Sequence, residues 1–144
     1  MASCDLAVAA EEATFGVNGV NIGLFCSTPM VALSRNIGRK KVFEMLVTGE
    51  FLLAHEALAN GLVNKVVSRQ QLTSSTMELA QKINGKLGRV VKIGKKAFYN
   101  QAEMNIEDAY IYTANVMAKN MLFNDTNEGI DAFIEKRTPE WGGG

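Results

Sequence analysis

Only three stretches of this 144-residue chain read as β-strand, and they are too short and too few to satisfy a sheet among themselves. Residues 4–10 (CDLAVAA) are apolar and bounded by Glu11-Glu12, which suits a buried strand followed by a turn. Residues 13–15 (ATF) resemble a second strand, and residues 62–67 (LVNKVV) a third. Unpaired strand edges stay exposed unless another segment or chain covers them. The pattern therefore predicts further strands supplied from upstream of an opening that starts directly on an apolar run.

Everything else with periodicity is helical. Ser27 or Thr28 is placed to cap a helix with Pro29 in its first turn, and Gly38 is a plausible stop. Val42, Phe43, Leu46 and Val47 fall on one apolar helix face that Gly49 ends. Leu53, Ala54, Ala57 and Leu58 share another, closed by Asn60-Gly61. Residues 71–83 and 90–101 read as two more helices. Asn105 with Asp108 opens the next, whose apolar face holds Ile106, Ala109, Tyr110, Thr113, Met117 and Met121. Asp125 with Glu128 reads as a capping box for a short helix carrying Ile130, Phe133 and Ile134. Lys136 and Arg137 fall in its last turn, where cations complement the dipole, and Pro139 stops it. Gly142-Gly143-Gly144 has no side chain to bury and reads as a frayed end. The expectation is an α/β chain of two regimes. Residues 1–68 alternate strand and helix, and residues 69–144 are helical, with no linker or repeat between them.

Composition narrows the function classes. Apolar residues make up 47% of the chain, and the 15 basic residues balance the 15 acidic ones. A zero formal charge does not favour nucleic acid or an anionic membrane, and leaves room only for a local basic patch. No apolar run reaches the roughly 20 residues of a membrane span. Cys4, Cys26 and His55 are too few and too scattered for a metal site, so none is expected. The cysteines read as reduced, buried thiols of an intracellular protein. The start has neither the basic region of a secretory signal nor the arginines of a mitochondrial presequence.

Residues 15–24, FGVNGVNIGL, hold three glycines and two asparagines and no titratable group. Gly16, Gly19 and Gly23 fit neither the dinucleotide fingerprint nor the P-loop. Asn18-Gly19 could make a hairpin turn, or the segment is a close-packed loop that lets a ligand approach the backbone. His55 lies opposite the apolar stripe of its helix and reads as solvated. Lys40-Lys41 and Lys95-Lys96 read as solvated faces. Phe98, Tyr99, Tyr110, Tyr112 and Phe123 read as helix packing.

Three stretches together resemble the crotonase superfamily, the enoyl-CoA hydratase/isomerase family. They are CDLAVAAEEATFGVNGVNIGL, EMLVTGEFLLAHEALANGLVNKVV and EGIDAFIEKRTPEW, in the family's order and covering nearly the whole chain. The resemblance implies a ββα spiral followed by a C-terminal helical trimerisation region, of which this chain would carry the later turns (1–68) and the helices (69–144). It implies a coenzyme A thioester as substrate with no other cofactor, a role in fatty-acid metabolism, a homotrimer or dimer of trimers, and a mitochondrial setting, the cytoplasm being the alternative. The family's oxyanion-hole segments and first hydratase glutamate would precede Met1. The second glutamate lies four residues after the phenylalanine of the second strand, and that count from Phe15 lands on Gly19. Gly16 and Gly19 then become pocket wall and no catalytic residue is assigned, since neither glycine nor the neutral Asn18 and Asn21 can move a proton. The closing helix of a neighbouring subunit contacts coenzyme A in this family, and the matching positions are Phe133 and Lys136. Two alternatives stand beside this reading: a non-catalytic binding or trimerisation module, and an inactive truncated isoform.

Overall fold

A computed structural model describes residues 1–142, so Gly143 and Gly144 of the glycine end lie outside the described residues. The chain divides into two compact units, Met1–Ala80 and the part from Gln81 on. Four short strands, seven α-helices and two short 3-10 helices are present among the described residues.

In Met1–Ala80, β1 (Val8–Ala10) pairs in parallel with β4 (Lys65–Val67), Val8 opposite Lys65 and Ala10 opposite Val67. β2 (Thr14–Phe15) pairs antiparallel with β3 (Leu52–Leu53). The first strand is shorter than expected because residues 1–4 turn back on themselves, the Cys4 N–H donating to the Met1 carbonyl at 2.8 Å. This leaves Cys4 exposed, against the expectation of a buried thiol, and Cys26 half-buried. Between the two ladders lie α1 (Pro29–Asn36), α2 (Arg39–Thr48) and α3 (Ala54–Ala59). Pro29 takes the first position of α1, but Thr28 is itself helical and neither it nor Ser27 caps the helix by its side chain.

The core faces differ from the expected ones. α2 buries Val42, Met45 and Leu46 and leaves Phe43 and Val47 exposed. Methionine adapts to irregular gaps, so Met45 fills the space that a rigid phenylalanine ring would have to fit. α3 buries Ala54 and Ala57 and exposes Leu53 and Leu58. α3 packs directly on β3 and β4, and side chains with a single methyl allow that approach. Leu53 is extended rather than helical, and its N–H donates to Glu56 Oε2 at 2.9 Å. Ala9, Val17, Leu33, Ile37, Leu52, Leu62 and Val63 complete the core.

α4 (Leu72–Asn84) runs through the division between the units. In the part from Gln81 on, α5 (Gly88–Ala102) packs on α6 (Ile106–Met121), and α6 on α7 (Asn124–Glu135). Asn105 caps α6 as expected, its Oδ1 accepting the Asp108 N–H at 3.0 Å. The expected capping box at α7 is absent. Phe123 is the N-cap, Asp125 is inside the first turn, and Glu128 is engaged elsewhere. The face of α6 that sequence periodicity marks as apolar is split: Ile106, Tyr110, Met117 and Met121 are exposed, while Ala109 and Thr113 turn inward together with Tyr112. The inward side gains a hydrogen bond, with Asn100 Nδ2 donating to Tyr112 Oη at 3.1 Å. Of the five aromatics expected to pack, Tyr112 and Phe123 are half-buried while Phe98, Tyr99 and Tyr110 are exposed.

Glycine matters differently at two positions. Gly49 ends α2 at φ 66°, and a Cβ there would lie 2.7 Å from Asn21 Oδ1. Gly94 sits inside α5 with nothing within 4 Å of where a Cβ would be. Gly49→Ala is expected to lower stability by roughly 1–2 kcal/mol from the left-handed backbone alone, with the Asn21 contact adding to it. Gly94→Ala is expected to raise it by roughly 0.5–1 kcal/mol. Thermal denaturation of the two variants against the unaltered chain measures both signs.

Candidate functional site

The glycine segment folds as one tight turn of 3-10 helix, Asn18–Ile22, closed by Gly23 at φ 78°. The Leu24 N–H returns to the Gly19 carbonyl at 2.9 Å. This is neither a hairpin nor a phosphate cradle but the close-packed loop. Gly19 does not adopt a positive φ, so backbone freedom is not what demands glycine there. Space demands it, since a Cβ at Gly19 would lie 2.8 Å from the Leu24 carbonyl oxygen and 2.8 Å from Cys26 Sγ. Gly16 is exposed, with the Phe51 ring 2.7 Å from its Cβ position, a side chain that can shift where a backbone carbonyl cannot. Asn21 reaches across to Gly49. The loop is thus pinned from inside by Leu24 and Cys26 and from outside by the end of α2 and the start of β3.

No charged side chain occurs between Ala13 and Ser34, and the Cys26 thiol is the one titratable group in that stretch. Of the nearest acids in sequence, Glu12 pairs with Arg69 at 3.3 Å beyond β4, and Glu11 gives its N–H to Val67 at 2.9 Å. Both belong to the ladder end. Sequence reasoning missed Cys26 as the wall against Gly19; its place two residues beyond Leu24 was the available signal. His55 is exposed on α3. No cluster of three or more metal-ligating side chains occurs among the described residues.

Phe133 and Lys136 lie at the far end of α7. Phe133 is 84% exposed. The helix ends at Glu135, so Lys136 and Arg137 are not in its last turn as expected. Lys136 is the C-cap residue at φ 56°, ψ 37°, and the one non-glycine residue with positive φ among the described residues. A side chain in the left-handed region costs roughly 1–2 kcal/mol, so something must hold it. What holds it is a clasp. Arg137 donates from Nη1 and Nη2 to the two oxygens of Glu128 at 2.6 and 2.9 Å and from Nε to Glu135 at 2.5 Å. Glu128 Oε1 also accepts the Glu140 N–H at 2.8 Å, and Asp125 Oδ1 accepts the Gly142 N–H at 2.8 Å. The Trp141 ring lies over Gly129, where a Cβ would meet it at 3.4 Å. The tail is therefore folded back along α7, and Arg137 serves this clasp rather than the helix dipole. An open apolar cleft of about 540 Å³ runs beside it, lined by Leu87, Val90, Val91, Ile130, Phe133 and Trp141, with Lys86 at its rim.

The sequence model of the family described as Enoyl-CoA hydratase/isomerase matches residues 1–144. The chain belongs to the enoyl-CoA hydratase/isomerase family. It is 48% identical over 141 residues to the mitochondrial enoyl-CoA hydratase domain-containing protein 3 of Mus musculus, covering 98% of this chain and 47% of that protein. It is 33% identical to carnitinyl-CoA dehydratase of Salmonella typhi, over 98% of this chain and 56% of that one. Among solved structures, an enoyl-CoA hydratase from Mycobacterium smegmatis superposes with a TM-score of 0.94 at 53% identity, covering 97% of this chain and 55% of the other. Human enoyl-CoA hydratase domain-containing protein 3 superposes at 0.92 and 48% identity, with the same coverage. The elements described above are thus part of the crotonase fold, and the chain spans about half the length of the curated relatives it matches.

The clasp makes the Lys136 corner pH-sensitive. Hydrogen bonding from the Arg137 side chain, and then from the Glu140 N–H, lowers the Glu128 carboxyl from its ordinary 4.5 to about 2. A depressed folded-state pKa contributes stability above the unfolded value and loses it as pH falls through the folded one. The clasp is therefore expected to be intact above pH 4.5 and to release between there and about pH 2. Fluorescence of Trp141, the chain's single tryptophan, follows it. Glu128→Gln should abolish the change in that window, and an unchanged titration in the variant refutes the assignment.

Proposed function

We propose that this chain is an acyl-CoA-handling part of an enoyl-CoA hydratase/isomerase family protein, acting in fatty-acid metabolism without the family's glutamate-assisted hydration of the double bond. The observation that carries the reading is the loop around Gly19. A hydratase needs a carboxylate at this position to place water and move a proton. Here the position is glycine, and the Leu24 carbonyl and the Cys26 thiol occupy the space the first side-chain carbon would need. The packing of the loop supports this reading, since it leaves no room for a longer side chain at that position. Chemistry compatible with such a wall is stabilisation of a thioester enolate by backbone N–H donors. The mitochondrial names of the relatives support a mitochondrial setting for this activity.

Phe133 and Lys136 are the proposed contact with coenzyme A. Phe133 offers an exposed ring for the adenine, and Lys136 a point charge for the phosphates. A strained left-handed lysine held by the Arg137 clasp is what a site that aims one cation would contain.

A second reading is favoured by one feature. The outward face of α6, with Ile106, Tyr110, Met117 and Met121, carries no charge and suits contact with other copies of the chain. In that reading the helical region drives trimer assembly and any contact with coenzyme A is vestigial.

Calorimetric titration with crotonyl-CoA separates the readings. Binding that weakens roughly ten- to hundred-fold in Lys136→Gly is expected from the loss of a charge-assisted phosphate contact, and glycine keeps the left-handed corner without strain. Trimers without binding support the assembly reading. Crotonyl-CoA hydration by the purified chain is expected to be undetectable, and measurable turnover overturns the proposal. Gly19→Glu should lower stability without creating hydratase activity, because the Leu24 carbonyl must move to admit it.

A further inference from the structure

The zero formal charge hides a sharp segregation. Residues 79–102 contain six cations, Lys82, Lys86, Arg89, Lys92, Lys95 and Lys96, and not one acid. All six are exposed. Four belong to α5 (Gly88–Ala102). Arg89, Lys92 and Lys96 are spaced by three and four residues and share one line along the helix. Arg89 is positioned by the Phe123 ring, its guanidinium carbon 3.8 Å from the centroid. The inward side holds the buried Ala97 and the half-buried Val90 and Ile93. Val91 and Phe98, seven residues apart, form a second outward line and are 38% and 63% exposed. Lys95 and Tyr99 lie between the two lines. Across its solvent side α5 thus passes from the Arg89–Lys92–Lys96 line through Lys95 and Tyr99 to the apolar Val91–Phe98 line, each running along a helix of about 22 Å.

We propose that this face of α5 attaches the protein to an anionic phospholipid surface. An interfacial site needs cations at the level of the phosphates and apolar side chains at the acyl boundary, side by side along one element. The Arg89–Lys92–Lys96 line supplies the first and the Val91–Phe98 line the second, with Tyr99 at the junction, where amphipathic rings settle. The face is a convex helix and not a groove, so it offers no channel to track a nucleic-acid strand. An aliphatic Val91 would have no base to stack on. This attachment is peripheral, and no helix among the described residues is long and apolar enough to cross a membrane. It rests on neither reading of the acyl-CoA site.

Co-sedimentation of the full chain with vesicles tests it. The chain should sediment with vesicles of equimolar phosphatidylcholine and phosphatidylserine, remain in solution with phosphatidylcholine alone, and be released as salt is raised. Each surface-facing cation is worth roughly five-fold in partitioning, so the triple change Arg89→Gln, Lys92→Gln, Lys96→Gln should weaken binding roughly a hundred-fold. Phe98→Ser should weaken it without changing the salt dependence. Arg39→Gln with Lys40→Gln, on α2, should leave it unaltered and controls for total charge. Circular dichroism confirms that each variant is folded. Equal sedimentation with neutral vesicles, no sedimentation at all, or binding to single-stranded RNA in place of vesicles each overturns the proposal.

Discussion

The parallel pairing of Val8–Ala10 with Lys65–Val67 joins stretches of chain 57 residues apart, and residues 11–64 form the loop that it closes. Three residue pairs are a small return for closing so long a loop, although closure entropy rises only slowly with length. The ladder is secured at both ends. Before it, the Ala7 N–H donates to Asn64 Oδ1 and the Asn64 N–H to the Ala7 carbonyl, each at 2.8 Å. After it, the Glu11 N–H reaches Val67, and Glu12 meets Arg69. Exposed ion pairs contribute little, so the asparagine exchange and the burial of Ala9 and Val67 carry this closure. The glycine loop and the helices α1 to α3 are thereby brought to fixed places on a short strand pair.

That frame explains why the glycine loop has no slack. Its walls, Phe51 and Gly49, come from the segment joining α2 to β3, and its floor is its own Leu24 and Cys26. Replacing a glycine in an open loop is a local matter. Replacing one whose Cβ position is already taken by a backbone carbonyl displaces the loop, and through Asn21 the end of α2. Glycine at position 19 is therefore required by the packing, and no larger side chain fits there without moving the loop.

The sequence made much of this legible, and the misses share a cause. Helix positions, the stops at Gly49 and Gly61 and the Asn105 cap follow from local chemistry, and local chemistry is what a sequence displays. Which face turns inward is decided by partners. α2 has apolar residues at both 42–43 and 46–47, and periodicity alone cannot choose between Met45 and Phe43 for the core. On α6 the apolar face is split between exposed and inward residues, because Tyr112 finds Asn100 on the inward side. At the candidate coenzyme A contact, Phe133 and Lys136 were legible by resemblance, but the left-handed turn at Lys136 was not. It depends on Arg137 finding Glu128 nine residues earlier, where a capping box competed for the same glutamate.

The part of the chain from Gln81 on leaves two kinds of apolar surface exposed, and their charges separate them. Ile106, Tyr110, Met117 and Met121 follow one another along α6 with no charged residue among them, so desolvating that face strips water from no ion. Such a surface matches another of its own kind, and like copies meeting there would face no charge repulsion. The Val91–Phe98 line on α5 is flanked by four cations, and two copies pressed together there would bring like charges into contact with no acid of α5 to offset them. Contact between copies is thus disfavoured on α5 for the same reason that a dense layer of phosphates is favoured. Residues 103–140 hold eight acids against three cations, which restores neutrality to the chain as a whole without placing any acid in the α5 run. Net charge, which favours no polyanionic partner when averaged over the chain, is therefore the wrong scale on which to ask the question.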